Sequence, residues 1–208
     1  MLVLDANDKV QSKEKLFTAV WNTDYSGLVE YQPKWNAVAV EAGSRTVISE
    51  LGDRVQADVL NVLPPMRAAD IAHAAGVVNI NGRWADVAWT SFESTAVPGI
   101  HVIGDALQAA PLMPKSGHMA NQHGKAVAAA ILDLLAGETP QPPVIANTCY
   151  SLVDHERAIH VDSVHRYDAE KKTLLVVPNS GGVSTEPSVA EGVYARAWAE
   201  TIWKDVLA

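Results

Sequence analysis

The stretch Gly99-Ile-His-Val-Ile-Gly-Asp-Ala106 combines a short apolar run with a Gly-Asp pair directly after it. The apolar run predicts a buried β-strand, and the pair predicts a turn where the strand ends. An aspartate in that position can accept hydrogen bonds from a ligand hydroxyl, while a glycine lets the ligand approach the backbone. Gly104 and Asp105 are therefore candidate binding residues. The alternative is an ordinary strand-to-loop turn, in which Asp105 satisfies nearby amides.

A second candidate follows at Lys115-Ser116-Gly117. Residues 118–136 are rich in alanine and end before Gly137, which predicts a long helix with Ser116 as its N-cap. The start of a helix carries unpaired N–H groups and a partial positive charge, so it can stabilise a phosphate or a reduced flavin ring. The stretch lacks the glycine spacing of a P-loop. A plain capped helix is the alternative.

The rest of the chain alternates strand and helix patterns, which predicts a mixed α/β fold. Apolar runs bounded by turn residues predict strands over 1–5, 27–31, 36–42, 45–50, 57–63, 158–167 and 173–177. Helical spacing of apolar residues predicts further helices over 15–21, 67–75 and 187–207. Three prolines within residues 139–143 predict an extended connector.

The composition excludes several classes of protein. The 208 residues include 16 Lys and Arg against 24 Asp and Glu, which gives a net charge of −8 and disfavours nucleic-acid binding. Apolar residues make up 48%, as in folded proteins, and no apolar run approaches the ~20 residues that span a bilayer. Met1 leads straight into a strand pattern with no leader features, so we predict that the chain is the carboxy-terminal part of a larger protein.

Residues suited to metal or redox chemistry are few. Cys149 is the single cysteine of the sequence and cannot form an internal disulfide, so we expect a structural role for it. His118 and His123 are five residues apart on the predicted helix and point about 140° apart, so they cannot share a metal ion. Trp198 on the last helix could flank an aromatic cofactor, although a tryptophan packed in a core is the more common case.

Four stretches taken together resemble the flavoprotein subunit of flavocytochrome c sulfide dehydrogenase. They are Gly99-Ile-His-Val-Ile-Gly-Asp-Ala106, Met113-Pro-Lys-Ser-Gly-His-Met-Ala-Asn121, Asn147-Thr-Cys-Tyr-Ser151 and Ser180-Gly-Gly-Val-Ser184, and the likeness covers nearly the whole chain. The resemblance implies a partial fold of two dinucleotide-binding domains, FAD and NAD(P), with a small α+β carboxy-terminal flavin-binding domain. It divides the chain into an NAD(P)-binding-like remainder over 1–77, FAD-domain elements over 78–138 and the carboxy-terminal domain over 139–208.

The resemblance also implies a cofactor, partners and site residues. It implies FAD as the cofactor, a reduced sulfur compound as the electron donor, a c-type cytochrome subunit as the acceptor and a periplasmic location. Asp105 would contact the ribityl–pyrophosphate part of FAD, and the helix start would lie beside the flavin. The cofactor-binding positions that it implies are Pro65, Gly104, Asp105, Met113, Lys115, Ser116, Gly117 and Trp198. It assigns no catalytic residue and no metal.

Two positions depart from the family pattern. The Gly-x-Gly-x-x-Gly motif that cradles the ADP pyrophosphate is absent from these 208 residues, so we expect the chain alone to hold FAD weakly or not at all. Leu107 stands where the family has a redox cysteine, and leucine cannot form a disulfide. Two alternatives therefore stay open: another flavin reductase that uses NAD(P)H or a quinone, and a catalytically inert fragment or interaction module.

Overall fold

A computed structural model describes residues 1–6 and 12–207, without the side chains of residues 12 and 13. The chain forms two compact units, Met1–Pro65 and Met66–Ala208, which are described separately below. The domain boundaries predicted after residues 77 and 138 stay predictions.

The first unit contains one helix and two small sheets. Its elements are β1 (Leu2–Leu4), α1 (Ser12–Thr23), β2 (Glu30–Gln32), β3 (Ala37–Glu41), β4 (Thr46–Ser49) and β5 (Arg54–Gln56). Strands β1 and β2 pair in parallel, while β3, β4 and β5 form an antiparallel sheet. The predicted strands over 36–42 and 45–50 form a hairpin that turns at Gly43-Ser44. The residue there with a positive φ is Arg45, at 51°.

Two predictions fail in this unit. Residues 57–63 form no strand, and Val59 and Leu63 are 87% and 91% exposed. An apolar run becomes a strand only where a neighbouring strand accepts its hydrogen bonds, and none does so in the described part of this unit. The first strand forms as predicted, but it is not buried, since Leu2 is 40% exposed.

The second unit places two long helices against an antiparallel sheet. Its elements are α2 (Asp70–Ala74), β6 (Val78–Ile80), β7 (Trp84–Ala85), β8 (Val87–Ala88), β9 (Glu93–Ser94), a 3-10 turn (Gly104–Ala106), α3 (Gly117–Leu135), β10 (Val144–Leu152), β11 (Ala158–Asp168), β12 (Thr173–Val176) and α4 (Val189–Leu207). Strands β10 and β11 pair over nine positions, and β12 extends the sheet. Two short hairpins, β6–β7 and β8–β9, precede the 3-10 turn.

The core of this unit lies under α3. The helix buries Met119, His123, Val127 and Ala130, which recur at intervals of three and four residues and so share one face. Among residues 12–207, no helix combines the length and apolarity needed to cross a membrane.

One prediction is corrected in this unit. Residues 99–103 form no strand: they make a single bridge, His101 to Glu93, and Ile103 is 44% exposed. The backbone pairs with β9 at this one point, too briefly to build a ladder. The short strands β6 to β9 were not predicted, because two- and three-residue strands carry too few positions to show a period of two.

Candidate functional site

The Gly104 turn is the first part of the candidate site. Gly104 has φ of +68°, a left-handed conformation that side chains rarely adopt, and a Cβ there would lie 3.3 Å from the Cβ of Ala120. Its N–H donates to Nδ1 of His123 at 3.2 Å. The next residue, Asp105, is exposed. The turn therefore needs glycine, and it presents a carboxylate outward.

Lys115 is bound to the same turn. Its Nζ donates to the backbone carbonyls of Asp105, at 2.6 Å, and of Leu107, and it lies 3.8 Å from the ring centre of Trp84. Partial burial lowers the pKa of Lys115; the charge of Asp105 opposes this effect and that of Arg83 adds to it. The ammonium group is thus a structural link between the turn and the start of α3, in addition to being a positive charge beside Asp105.

The start of α3 is fixed by directional bonds to the sheet. Ser116 Oγ accepts the N–H of Met119 at 3.0 Å, which confirms Ser116 as the N-cap, and it donates to Oδ1 of Asn147 at 2.6 Å. His118 Nδ1 accepts the N–H of Thr148 at 2.9 Å. Burial lowers the pKa of His118.

The amino-terminal end of α3, at Gly117, faces open space. A Cβ placed on Gly117 would meet nothing within 4 Å. The first backbone bond of the helix runs from Ala120 N–H to Ser116 C=O, at 2.9 Å, and the cap occupies the N–H of Met119. The N–H groups of Gly117 and His118 precede that bond, so they remain as donors at the helix end.

The structure brings together most of the predicted site residues. Gly104, Asp105, Met113 and Lys115 line one small pocket, and Ser116 and Gly117 directly follow it in the chain. Met113 is buried, at 7% exposure, so it forms the pocket wall.

Two predicted residues do not line this pocket. Trp198 is on α4, where its ring centre lies 5.8 Å from that of His118 and 6.0 Å from that of Tyr150. Its buried Nε1 has no hydrogen-bond partner among the described residues. Pro65 is the last residue of the first unit and is exposed.

His123 and Asn147 are site residues that sequence reasoning did not assign. Asn147 begins one of the four stretches that carry the family resemblance, but its hydrogen bond to Ser116 depends on the pairing of β10. For His123, the sequence analysis addressed only a metal site shared with His118. Its position four residues after Met119 and four before Val127 is the signal that places it on the buried face of α3. No group of three metal-ligating side chains occurs within the described ranges.

Two models of one protein family match the chain. Residues 141–207 match the family model "Flavocytochrome c sulphide dehydrogenase, flavin-binding", and residues 1–64 match "Sulfide dehydrogenase [flavocytochrome c] flavoprotein chain, central". The intervening residues carry the Gly104 turn and α3.

Solved structures share the fold. The chain is 16% identical to the sulfide:quinone oxidoreductase from the hyperthermophilic bacterium Aquifex aeolicus, with a TM-score of 0.70, over 98% of this chain and 49% of that one. It is 13% identical to a putidaredoxin reductase in a covalent complex with putidaredoxin, with a TM-score of 0.53, over 88% and 49%. A NAD-dependent persulfide reductase from A. fulgidus is 13% identical, with a TM-score of 0.50, over 94% and 43%. The predicted mixed α/β fold is confirmed, and the chain spans about half the length of these structures.

Proposed function

We propose that this chain, which belongs to the flavoprotein family of flavocytochrome c sulfide dehydrogenase, takes part in FAD-dependent oxidation of a reduced sulfur compound. The match to a flavin-binding model confirms the prediction of FAD as cofactor. The electron acceptor in this proposal is a c-type cytochrome subunit, and the location is the periplasm. The observation that carries the proposal is the Gly104 turn, which exposes Asp105 and is joined by Lys115 to the segment that starts α3.

The residues present fit the ribityl and ring portion of FAD. The exposed carboxylate of Asp105 can accept hydrogen bonds from sugar-like hydroxyls. The N–H groups of Gly117 and His118, at a helix end with a partial positive charge, are suited to an electron-rich edge of the ring.

When bound, FAD supplies the two-electron redox chemistry. The chain's own residues supply position and charge. The start of α3 stabilises negative charge by about 0.3–1 kcal/mol when exposed and up to about 2 kcal/mol when partly buried. Lys115 holds the carbonyls of the turn, so that Asp105 and the helix end keep a fixed relation to each other.

Leu107 favours a second candidate function. It is 1% exposed and packed in the core, at the position where the resemblance expects a redox cysteine. With Cys149 as its single thiol, the chain cannot carry a dithiol–disulfide step within itself. A flavin reductase that takes its electrons from NAD(P)H or passes them to a quinone needs no such pair, and it is the alternative.

Flavin affinity of an Asp105→Ala variant tests the proposal. Loss of a charge-assisted hydrogen bond, about 1.5–3 kcal/mol, predicts an FAD affinity at least about tenfold lower. Because the chain lacks the ADP-binding glycine motif, affinity should be measured by titration with FAD fluorescence at micromolar protein rather than by co-purification.

Asp70→Asn is the matched control, since Asp70 is an exposed carboxylate on α2 and lines no part of the pocket. It should leave the affinity unchanged. Equal affinities for the Asp105→Ala variant and the wild type would remove Asp105 from the site and contradict the proposal.

A further inference from the structure

His123 is an unusual residue for the middle of a packed helix. It is 2% exposed, and it lies among Met119, Phe92 and Trp89, with its ring centre 4.9 Å from that of Phe92. An apolar side chain would fill this space with no polar atoms to satisfy. The imidazole instead leaves Nε2 buried with no partner in the described chain, which is unfavourable by itself.

The other ring nitrogen explains why an imidazole stands there. Nδ1 lies 3.2 Å from the backbone nitrogen of Gly104, and an N–H can donate only to an unprotonated nitrogen. His123 is therefore the neutral tautomer with its proton on Nε2. Gly104 begins the 3-10 turn with a left-handed backbone, and its N–H finds its acceptor in His123.

The surroundings of His123 maintain the neutral state. Burial lowers its pKa to about 4, and two positive or titratable groups act in the same direction: His165 from β11 and Lys115 from the turn side. His123 is therefore neutral near pH 7, and its Nδ1 stays available to Gly104.

We infer that His123 is a positioning residue of the flavin site: it holds the amide of Gly104 and so fixes the direction in which Asp105 is presented. This inference rests on the proposed function, because the direction of Asp105 matters only if Asp105 binds FAD. Lys115 binds the carbonyls after Gly104, and His123 binds the amide before Asp105. The two side chains hold the turn from both sides of the aspartate.

Three variants of the 208-residue chain separate this role from simple core packing. His123→Leu keeps apolar volume and removes the acceptor. His123→Asn restores an acceptor oxygen close to the position of Nδ1. His165→Leu is the matched control, since His165 is a fully buried histidine of the same core that bonds to Ser163 and not to the turn.

Amide hydrogen exchange at Gly104 is the direct readout, and it needs no flavin. His123→Leu should speed exchange at Gly104 by about tenfold relative to the unfolding-corrected rate, as expected for loss of one buried hydrogen bond. His123→Asn should restore most of the protection, and His165→Leu should leave the corrected rate at Gly104 unchanged. FAD affinity should follow the same order, about three- to tenfold weaker in His123→Leu.

Each outcome decides the inference. Unchanged exchange at Gly104 in His123→Leu, or a protonated Nδ1 by ¹⁵N NMR at pH 7, would overturn it. Faster exchange with unchanged FAD affinity would overturn the positioning role and leave His123 as a structural acceptor. Equal FAD affinities of the wild type and Asp105→Ala would contradict the proposed function, whereas the exchange data still decide whether His123 holds the turn.

Discussion

Helices α3 and α4 are each 19 residues long and pack on the same sheet, yet they are held in different ways. Helix α3 buries four side chains and ties its first turn to β10 through Ser116 and His118. Helix α4 buries only Gly192 and Ala195. Helix α3 relies on buried side chains and hydrogen bonds, whereas α4 relies on hydrogen bonds together with a close backbone contact.

The close fit of α4 centres on Gly192. A Cβ at this position would lie 1.7 Å from the carbonyl oxygen of Glu156, so the helix backbone lies directly against the loop between β10 and β11. Polar contacts support the fit: Glu191 Oε1 lies 2.6 Å from Nδ1 of His160, and the Arg196 guanidinium donates to the carbonyl of His155 in the same loop. The comparison shows that both helices begin with hydrogen bonds, and that a close backbone contact is the feature that sets α4 apart.

The largest effect should come from adding one methyl group to α4. Gly192→Ala forces the helix away from the Glu156 carbonyl, and we expect a loss of about 3 kcal/mol or more in unfolding free energy. Urea denaturation followed by circular dichroism measures it.

The same change on α3 should have the opposite sign. At Gly124 a Cβ would make an ordinary 3.9 Å contact with Ile103, so Gly124→Ala should stabilise the chain by about 0.5–1 kcal/mol. Equal effects of the two substitutions would show that close approach does not distinguish the helices.

Acid should act on the two helices in separate pH ranges. His123 takes up a proton near pH 6.5 when unfolded and near pH 4 when folded, so unfolding free energy should fall as pH drops through that interval. The loss is on the order of 3 kcal/mol. Burial also lowers the pKa of His118 and of His165, which adds a loss of the same sign.

The loop under α4 should respond at lower pH. Hydrogen bonds from the backbone N–H groups of Arg157 and Glu156, and then from the Arg157 side chain, lower the pKa of Asp154 from 3.8 to about 2. Asp154 therefore stabilises the fold above pH 3.8, and that contribution is lost between pH 3.8 and 2. Unfolding curves from pH 7 to 2 should show both phases. His123→Asn should flatten the upper phase and Asp154→Asn the lower, and variants that follow the wild-type curve would contradict the assignment.

The helix caps should have smaller effects than the close contact at Gly192. Ser116→Ala removes the cap of Met119 and the donor to buried Asn147, at a cost of about 2 kcal/mol. Ser188→Ala removes only the weaker 3.2 Å bond to the N–H of Glu191, at a cost of about 1 kcal/mol. Thermal unfolding of the two variants gives the order, and an equal loss in both would deny Asn147 a role in holding α3.

Local signals predicted much of this fold. The cap at Ser116, the alanine-rich run after it and the stop at Gly137 placed α3 to within one residue at each end. The hairpin of β11 and β12 and the helix α4 were likewise predicted, because their patterns are long enough to show a period.

Contacts between distant segments could not be predicted. Residues 57–63 have a strand pattern, but no local feature tells whether a neighbouring strand exists. The hydrogen bond from the Gly104 N–H to Nδ1 of His123 joins residues that are 19 positions apart in the chain. For Lys115, the sequence indicated a charge near the cofactor, but not the two carbonyls that it binds.

The register of β10 against β11 also bears on how faithfully the site assembles. Asn147 pairs with Ser163 and Thr148 with Asp162 in a ladder of nine positions. A slip by one residue would turn Asn147 to the other face of the sheet and move the amide of Thr148 away from His118. Ser116 and His118 would then both lose their hydrogen-bond partners, so a hairpin in the wrong register could not bind the start of α3. The first turn of α3 therefore stabilises one register of the hairpin over registers shifted by one residue.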